Sequence, residues 1–353
     1  MTSARGGRPR RLASLAVATL AVTGLAACGG DSDADSGSGD SELTVVSYGG
    51  GYQEAQAQAF IEPFDEANDD ITVVQDSPTD VSKLQAMVEA GNPQWDVALV
   101  ANDFGNDSQK EWLTPIDYSV VDKDAIVEGY ADTYRVAADI EGTVVAYRED
   151  KLDAAPETWA DFFDTEKFPG KRAVNKYAAG GILEAALLAD GVSPEELYPL
   201  DVDRALAKLD TIKDDIIWWE TAAQSQQLLE SGEAALGFVW IGRAVDAAKT
   251  APVKINWNTW TSQDAYWVVP KGSDAEEAAM EFIAFATSKE PQEELATLLP
   301  YGVVNVEAAE SEAVAADPNR PSNHLDTQVR MDDQWWADNI DDVSDQFNEW
   351  LLG

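Results

Sequence analysis

The sequence predicts an α/β fold made of mainly parallel sheets, and three observations support this class. Short β-rich runs alternate with helical stretches, an order that is typical of βαβ units. Helix starts carry clear signals, as in Ser193-Pro194-Glu195-Glu196 and Asp274-Ala275-Glu276-Glu277, where a capping residue precedes proline or acids. The chain has 353 residues, which is long enough for two lobes that each bury a core.

The first half of the pattern begins with a predicted strand at 43–48, the glycine turn Gly49-Gly50-Gly51 and a helix at 52–68. A strand at 71–74, a helix at 81–90 and a strand at 96–101 follow. The second half predicts helices at 201–213, 222–231 and 274–287, and strands at 216–219, 235–240, 253–257 and 265–269. Gly232 ends the middle helix, as glycine commonly does at a helix C-terminus.

The first 28 residues have the layout of an export signal. Four arginines precede an apolar run at 12–25, which is shorter than the roughly 20 residues that a membrane span needs. The run ends in Leu25-Ala26-Ala27-Cys28-Gly29, which resembles the bacterial lipobox. We expect cleavage before Cys28, lipidation of its thiol and anchoring to the outer face of the cell membrane. The alternatives are a stray thiol in an ordinary signal peptide and a twin-arginine signal at Arg10-Arg11.

Residues 29–42 are almost entirely Gly, Ser, Asp and Ala. Such a composition buries too little apolar surface to offset its ordering entropy, so we expect a flexible tether. Cys28 is the only cysteine, and the remainder of the chain must therefore be stable without disulfides.

The chain is strongly acidic. After the leader, 20 basic residues stand against 65 acidic ones, a net charge of −45. Nucleic acid is excluded as a partner, because phosphate binding requires a basic face. The acids indicate either a generic solvated surface or a field that draws cations toward a cleft.

Catalytic and metal-site patterns are absent from the sequence. The single histidine, His324, lies in a segment predicted to be a loop, so a histidine-based metal site is excluded. The motifs GxSxG, HExxH, Walker A and GxGxxG do not occur. We therefore predict a binding protein without cofactor or metal rather than an enzyme. A wall hydrolase with paired carboxylates and a surface scaffold lipoprotein are the alternatives from other classes.

Ligands of open parallel sheets bind at the carboxyl ends of strands. This rule selects 47–52, 101–104, 219–221, 240–243 and the region of Asp264. Several of these segments place an aromatic ring beside a carboxylate or a small polar group. An aromatic face with a nearby carboxylate suits an alkylammonium ion.

The chain resembles the spermidine/putrescine-binding family of periplasmic solute receptors. The resemblance rests on segments whose order and spacing match across the chain after its leader: Val45–Gly50, Trp95-Asp96-Val97, Phe168-Pro169-Gly170-Lys171, Gly237–Gly242, Asp264–Gly272 and Tyr301–Asn305. It implies a type II periplasmic-binding-protein fold with two lobes hinged by crossing strands. It places lobe 1 at 43–141 plus 264–306, lobe 2 at 142–263 plus 307–353, and crossings near 140–146, near 261–264 and after 305.

The resemblance also implies the function and the partners. The protein would be a monomeric substrate-binding subunit of an ABC importer that captures a polyamine and delivers it to a permease and an ATPase. Ligand contacts carried over from the family are Tyr48, Trp240, Asp264, Tyr301 and Gln334. A second set of candidates comprises Ser47, Gly49, Tyr52, Asp103, Tyr177 and Glu220.

One departure from the family bears on the ligand. Polyamine receptors place acids after the strand that follows Phe168-Pro169-Gly170, whereas this chain has Asn175-Lys176-Tyr177. Asp103 and Glu220 are the candidates to replace those acids. A ligand with one ammonium group fits equally well, so a zwitterion such as 4-aminobutyrate is the alternative. Lys176, Arg243 or a helix N-terminus would then hold its carboxylate.

Overall fold

The computed structural model describes residues 41–353. The predicted signal peptide, Cys28 and the tether up to residue 40 lie outside the described residues. The strands are β1 Ser41–Val46, β2 Ile71–Asp76, β3 Val97–Ala101, β4 Leu113–Thr114, β5 Arg135–Asp139, β6 Gly142–Arg148, β7 Lys171–Asn175, β8 Ile216–Trp219, β9 Ala234–Trp240, β10 Val253–Ser262, β11 Ala265–Pro270 and β12 Gln328–Val329.

Helices pack around these strands. They are α1 Gly50–Gln56, α2 Glu62–Ala67, α3 Val81–Glu89, α4 Trp159–Phe163, α5 Ile182–Ala189, α6 Val202–Asp210, α7 Ala222–Ser231, α8 Ile241–Thr250, α9 Glu276–Ala286, α10 Lys289–Leu298, α11 Val306–Ala309, α12 Glu312–Ala315 and α13 Asp333–Leu352. None of the helices described between 41 and 353 is long and apolar enough to span a membrane.

Two six-stranded sheets form the framework, so the predicted α/β architecture with two lobes is confirmed. The first sheet has the order β2-β1-β3-β11-β4, with β5 also paired to β11. The second sheet has the order β12-β10-β6-β9-β7-β8. Both sheets are mixed rather than mainly parallel as predicted. Strands β1, β2 and β3 run parallel, as do β7, β8 and β9. Strand β6 pairs antiparallel with both β9 and β10, and β11 pairs antiparallel with β3, β4 and β5. The antiparallel pairs arise where the chain crosses between the sheets and returns.

Two short segments carry the chain directly from one sheet to the other. Ile140-Glu141 joins β5 to β6, and Gln263-Asp264 joins β10 to β11. A longer third segment runs from α12 to β12. The predicted lobe boundaries remain a prediction. The chain passes from one sheet to the other at these segments, which lie close to the predicted boundaries. Ser41 and Glu42 pair with β2, so the first strand begins inside the stretch that the composition assigns to the tether.

Most strands and helices of the predicted pattern occur with small differences at their ends. The predicted helix at 52–68 contains a π turn at Ala57–Ile61. The strand predicted at 253–257 continues to Ser262 because it pairs with β6 on one side and β12 on the other. The helix start at Ser193 leads to a single 3-10 turn, Pro194–Glu196. Strands β5 and β6 were not predicted, although the first crossing lies between them.

Helix α13 connects the last segment to both sheets. Its N-cap Asp332 accepts a hydrogen bond from the Trp335 backbone at 2.9 Å. Trp336 is fully buried in the core of the second sheet, where its Nε1 donates to Glu184 Oε1 at 2.8 Å. On the opposite side, Asp333 forms a 2.8 Å ion pair with Arg135 of β5. The start of α13 is therefore held between the two sheets.

Gly142 allows close packing at the first crossing. A Cβ at this position would lie 2.1 Å from the carbonyl oxygen of Thr261 in β10, and backbone cannot move aside as a side chain can. We expect Gly142→Ala to lower the free energy of unfolding by about 1–3 kcal/mol. Gly51→Ala in α1 is the control, because a Cβ there meets nothing within 4 Å and alanine favours helix. Equal effects of the two substitutions in urea unfolding would contradict this prediction.

Candidate functional site

Three aromatic side chains stand exposed at the carboxyl ends of strands from both sheets. Tyr48 follows β1 and is 42% exposed, Tyr177 follows β7 and is 42% exposed, and Trp240 ends β9 and is 37% exposed. Trp240 packs edge-on against the buried Trp219, with ring centroids 5.1 Å apart. Large apolar side chains at such positions are typical of ligand surfaces rather than of the core.

A row of tyrosines extends from Tyr48 into the protein. The Tyr48 ring stacks on the Tyr52 ring with centroids 6.3 Å apart. The Tyr52 and Tyr301 rings meet edge-on with centroids 5.6 Å apart. Tyr301 in turn packs against Gly242 at the start of α8, where an added Cβ would lie 3.1 Å from the tyrosine ring. The row therefore reaches from the end of β1 in the first sheet to α8, the helix that follows strand β9 of the second sheet.

Asp139 and Glu141 lie beside this row, on the first crossing. Asp139 is fully buried, and its Oδ2 accepts a 2.6 Å hydrogen bond from the Tyr52 hydroxyl. Its Oδ1 is buried and accepts no hydrogen bond from an N–H or hydroxyl group. Burial raises the pKa of Asp139 to about 7, and burial together with the Asp139 charge raises the pKa of Glu141 well above its ordinary value. Two neighbouring carboxyl groups in such a setting retain a proton near neutral pH.

Asp264 has different surroundings from those expected. Its Oδ1 accepts the backbone N–H of Glu141 at 3.0 Å. Burial raises the pKa of Asp264 to about 8, while the positive charge of Arg330 partly opposes this shift and Asp333 adds to it. Trp240 instead donates to Gln263 Oε1 at 3.1 Å. Asp264 and Trp240 thus have separate polar partners, and no described contact joins them.

Asp103 and Tyr177 belong to opposite sheets and lie close together. Asp103 follows β3 and Tyr177 follows β7. Burial raises the pKa of Asp103, and burial together with the charge of Asp103 raises that of the Tyr177 hydroxyl. Burial and the charges of Glu141, Asp103 and Asp139 raise the pKa of Tyr48 as well. These acids and tyrosines therefore share one electrostatic environment.

Three other candidates from the sequence have partners within the protein. Ser47 donates to Gln56 Oε1 at 2.6 Å, and the backbone of Gly49 donates to Gln53 Oε1 at 3.0 Å. Glu220 is exposed and pairs with Lys176 at 2.9 Å. These contacts hold the strand ends and the start of α1 in place.

Gln334 lies apart from the tyrosine row. Its Nε2 donates to Ser108 Oγ and Asp338 Oδ1, each at 3.0 Å. It lines a separate cavity of about 430 Å³ that also includes Arg135, Arg330 and Asp333. Its position at the first turn of α13 explains the difference, because that turn packs against Ser108 of the first sheet's loops.

The two basic side chains considered for a ligand carboxylate are already paired. Lys176 binds Glu220, and Arg243 lies 3.2 Å from both Asp246 Oδ2 and Gln226 Oε1. The first turn of α8 begins directly after Trp240 and has no side-chain cap, so its backbone N–H groups are available to an anion. Within residues 41–353, no group of three or more His, Cys, Asp or Glu side chains has an arrangement that holds a metal ion.

Asp139 and Glu141 were missed by sequence reasoning. The available signal was the apolar run Val136-Ala137-Ala138 that ends in Asp139. The rule of strand carboxyl ends applies to it only after 135–139 is assigned as a strand. A run so short and rich in alanine does not by itself indicate a strand.

Comparison with known proteins agrees with this architecture. The model of a family described as bacterial extracellular solute-binding protein matches residues 59–322. A gamma-aminobutyric acid-binding protein of Pseudomonas aeruginosa is 35% identical over 321 residues, covering 87% of this chain and 90% of that protein. The solved structure of a GABA receptor is 42% identical with a TM-score of 0.82, covering 88% of this chain and 97% of that chain.

A third relative shows that ligands differ among similar proteins. The solved structure of AgtB from Agrobacterium tumefaciens, in complex with agropinic acid, is 36% identical with a TM-score of 0.72 and covers 89% of this chain and 99% of that chain. The names of these relatives describe the binding of small solutes. The chain belongs to the bacterial extracellular solute-binding protein family.

Proposed function

We propose that the protein is the capture subunit of an ABC importer for a small solute that carries a protonated amine, of the γ-aminobutyrate class. The observation that carries this proposal is the joint position of exposed aromatic faces and two neighbouring carboxyl groups, one fully buried and one partly buried. Tyr48, Tyr177 and Trp240 offer the faces, and Asp139 and Glu141 offer the acids. An ammonium ion is attracted by both kinds of group.

The names of the relatives favour a zwitterion over a polyamine. Two of them are named for γ-aminobutyrate, whereas the resemblance in the sequence implied spermidine or putrescine. We propose that the aromatic faces contact the methylene chain and the ammonium group. The uncapped first turn of α8 would receive the carboxylate. Tyr52, Asp103 and Tyr301 complete the proposed contacts, and Asp264 supports them through the Glu141 backbone.

A diamine is the second candidate, and one observation favours it. The candidate bases Lys176 and Arg243 are both paired with acids, while Asp103, Asp139 and Glu141 have no basic partner in an ion pair among the described residues. A ligand with two positive charges would compensate these unpaired acids. The capture role is the same in either case, and only the cargo differs.

We further propose that the protein acts outside the cytoplasm as a monomer held by a lipid on Cys28. The lipobox-like segment and the Gly/Ser/Asp-rich stretch that follows it support an anchor with a spacer. A permease and an ATPase in the membrane would be its partners.

The ligand class is tested by titration calorimetry on protein refolded free of bound solute. We expect γ-aminobutyrate to give saturable heat and succinate to give none, because succinate matches its chain length but lacks an ammonium group. Putrescine serves as the third ligand and separates the two candidates. Binding of succinate with no response to either amine would contradict the proposal.

The aromatic contribution is tested with Trp240→Ala. Loss of a cation–π face and its contact area should weaken binding of the amine at least about tenfold, which corresponds to about 1.4 kcal/mol. Val120→Ala is the control, since Val120 is similarly exposed at 43% but lies in a turn after β4. If both variants bind the amine as the parent protein does, Trp240 is not part of the site.

The anchor is tested with Cys28→Ser. Without the thiol no acyl chain can be attached, so we expect the protein to move from the membrane fraction to the culture medium or the soluble envelope fraction. Immunoblotting of the fractions measures this shift. An unchanged amount of the variant protein in the membrane fraction would exclude anchoring through Cys28.

A further inference from the structure

Asp139 and Glu141 occupy a special place in the fold. They flank Ile140 on the first crossing, which directly joins the two sheets. Ile140 is itself fully buried and is fixed by reciprocal backbone hydrogen bonds with Gly302 at 2.9 Å. The backbone that carries the two carboxyl groups is therefore fixed, with Asp139 fully buried and Glu141 partly buried.

Neither carboxyl group forms an ion pair with a base. The groups that face Asp139 are the Tyr52 hydroxyl, which donates to Oδ2 at 2.6 Å, and Glu141. Tyr48, Tyr301 and Asp264 are the other titratable groups near the pair. The positive charge of Arg243 partly opposes the upward pKa shift of Tyr301, and the positive charge of Arg330 partly opposes that of Asp264. The described salt bridges include neither Asp139 nor Glu141.

One oxygen of the pair lacks a donor from the rest of the protein. Asp139 Oδ1 is buried and receives no hydrogen bond from an N–H or hydroxyl group, so only a proton shared with the Glu141 carboxyl group can bridge the two acids. A buried acceptor that loses such a proton without a replacement is costly. An incoming N–H donor would remove that cost, and a cationic one would do so most effectively.

From these observations we infer that Asp139 and Glu141 together are the receptor for the ligand's ammonium group, and that the pair releases one shared proton to solvent when the ammonium binds. This inference rests on the proposed function and makes it more specific. Asp264, which the family resemblance selects for this role, is a positioning residue: it holds the Glu141 backbone through its 3.0 Å hydrogen bond.

The proton release follows from the charges. Before binding, a shared proton lowers the repulsion between the two carboxyl groups. The ammonium supplies the same compensation with its own charge and N–H donors, so the proton leaves while the amine stays protonated. Raising the pH removes that proton in advance, and affinity for the amine should therefore rise between pH 5.5 and pH 8.

The experiment is calorimetric titration of the refolded protein with γ-aminobutyrate and with putrescine at pH 7, in phosphate and in Tris buffer. The two buffers differ in ionisation heat, so the difference in binding heat gives the number of protons released per bound ligand. We expect a number close to one for the parent protein. A purely structural acid pair would give none.

Asp139→Asn and Glu141→Gln keep the size of each side chain and remove its charge. We expect each variant to bind the amine at least about tenfold more weakly and to release no proton. Two variants are used so that misfolding of one does not decide the result. Glu184→Gln is the matched control, because Glu184 is as fully buried as Asp139, has a pKa raised by burial, and contacts Tyr198 and Trp336 far along the chain from the crossing.

The outcomes separate the two proposals. If the parent protein binds an amine with no buffer-dependent heat, and both variants bind it equally well, the inference is wrong and the proposed function stands. If the parent protein binds neither amine, the proposed function fails and the inference fails with it. Loss of proton release in Glu184→Gln would place the titrating group elsewhere and also overturn the inference.

Discussion

A pair of neighbouring carboxyl groups without a base, one fully buried at Asp139 and one partly buried at Glu141, is the constraint on which the candidate site depends. A desolvated acid must be protonated, hydrogen-bonded or paired with a cation. Asp139 and Glu141 have only the Tyr52 hydroxyl and one another as close polar side-chain partners. The fold keeps them in this position because the first crossing is short and Ile140 is fixed to Gly302. A site of this kind gains most from a ligand that brings positive charge.

The aromatic residues line the space around the two carboxyl groups and so limit the shape of a ligand. Tyr48 and Tyr52 come from the first strand and helix, Tyr301 from the loop after α10, and Trp240 from the end of β9. Their rings therefore approach the crossing from both sheets. A ligand that touches groups from both sheets stabilises the arrangement in which they are close, which is how a solute can shift a hinged receptor toward closure.

The sequence predicted the α/β architecture and the position of the aromatic residues at strand ends, because both depend on local patterns. Alternation of strands and helices indicated the α/β class, and the rule of strand ends selected Tyr48 and Trp240. Side-chain partners depend on contacts between distant segments. Asp264 was expected to meet Trp240, but it binds the Glu141 backbone, and Gln263 meets Trp240 instead. The contacts of Gln334 likewise follow from how α13 docks, and its role in binding stays a prediction. Local sequence patterns do not predict the ligand class either, because relatives with similar folds bind different solutes.

The most direct measurement is a crystal structure of the protein with γ-aminobutyrate bound. Our account predicts the ligand nitrogen within about 3 Å of carboxyl oxygens of both Asp139 and Glu141, with its methylene chain against Trp240 or Tyr48. A nitrogen bound by Asp264 alone, or a ligand seated in the cavity beside Gln334, would contradict the account.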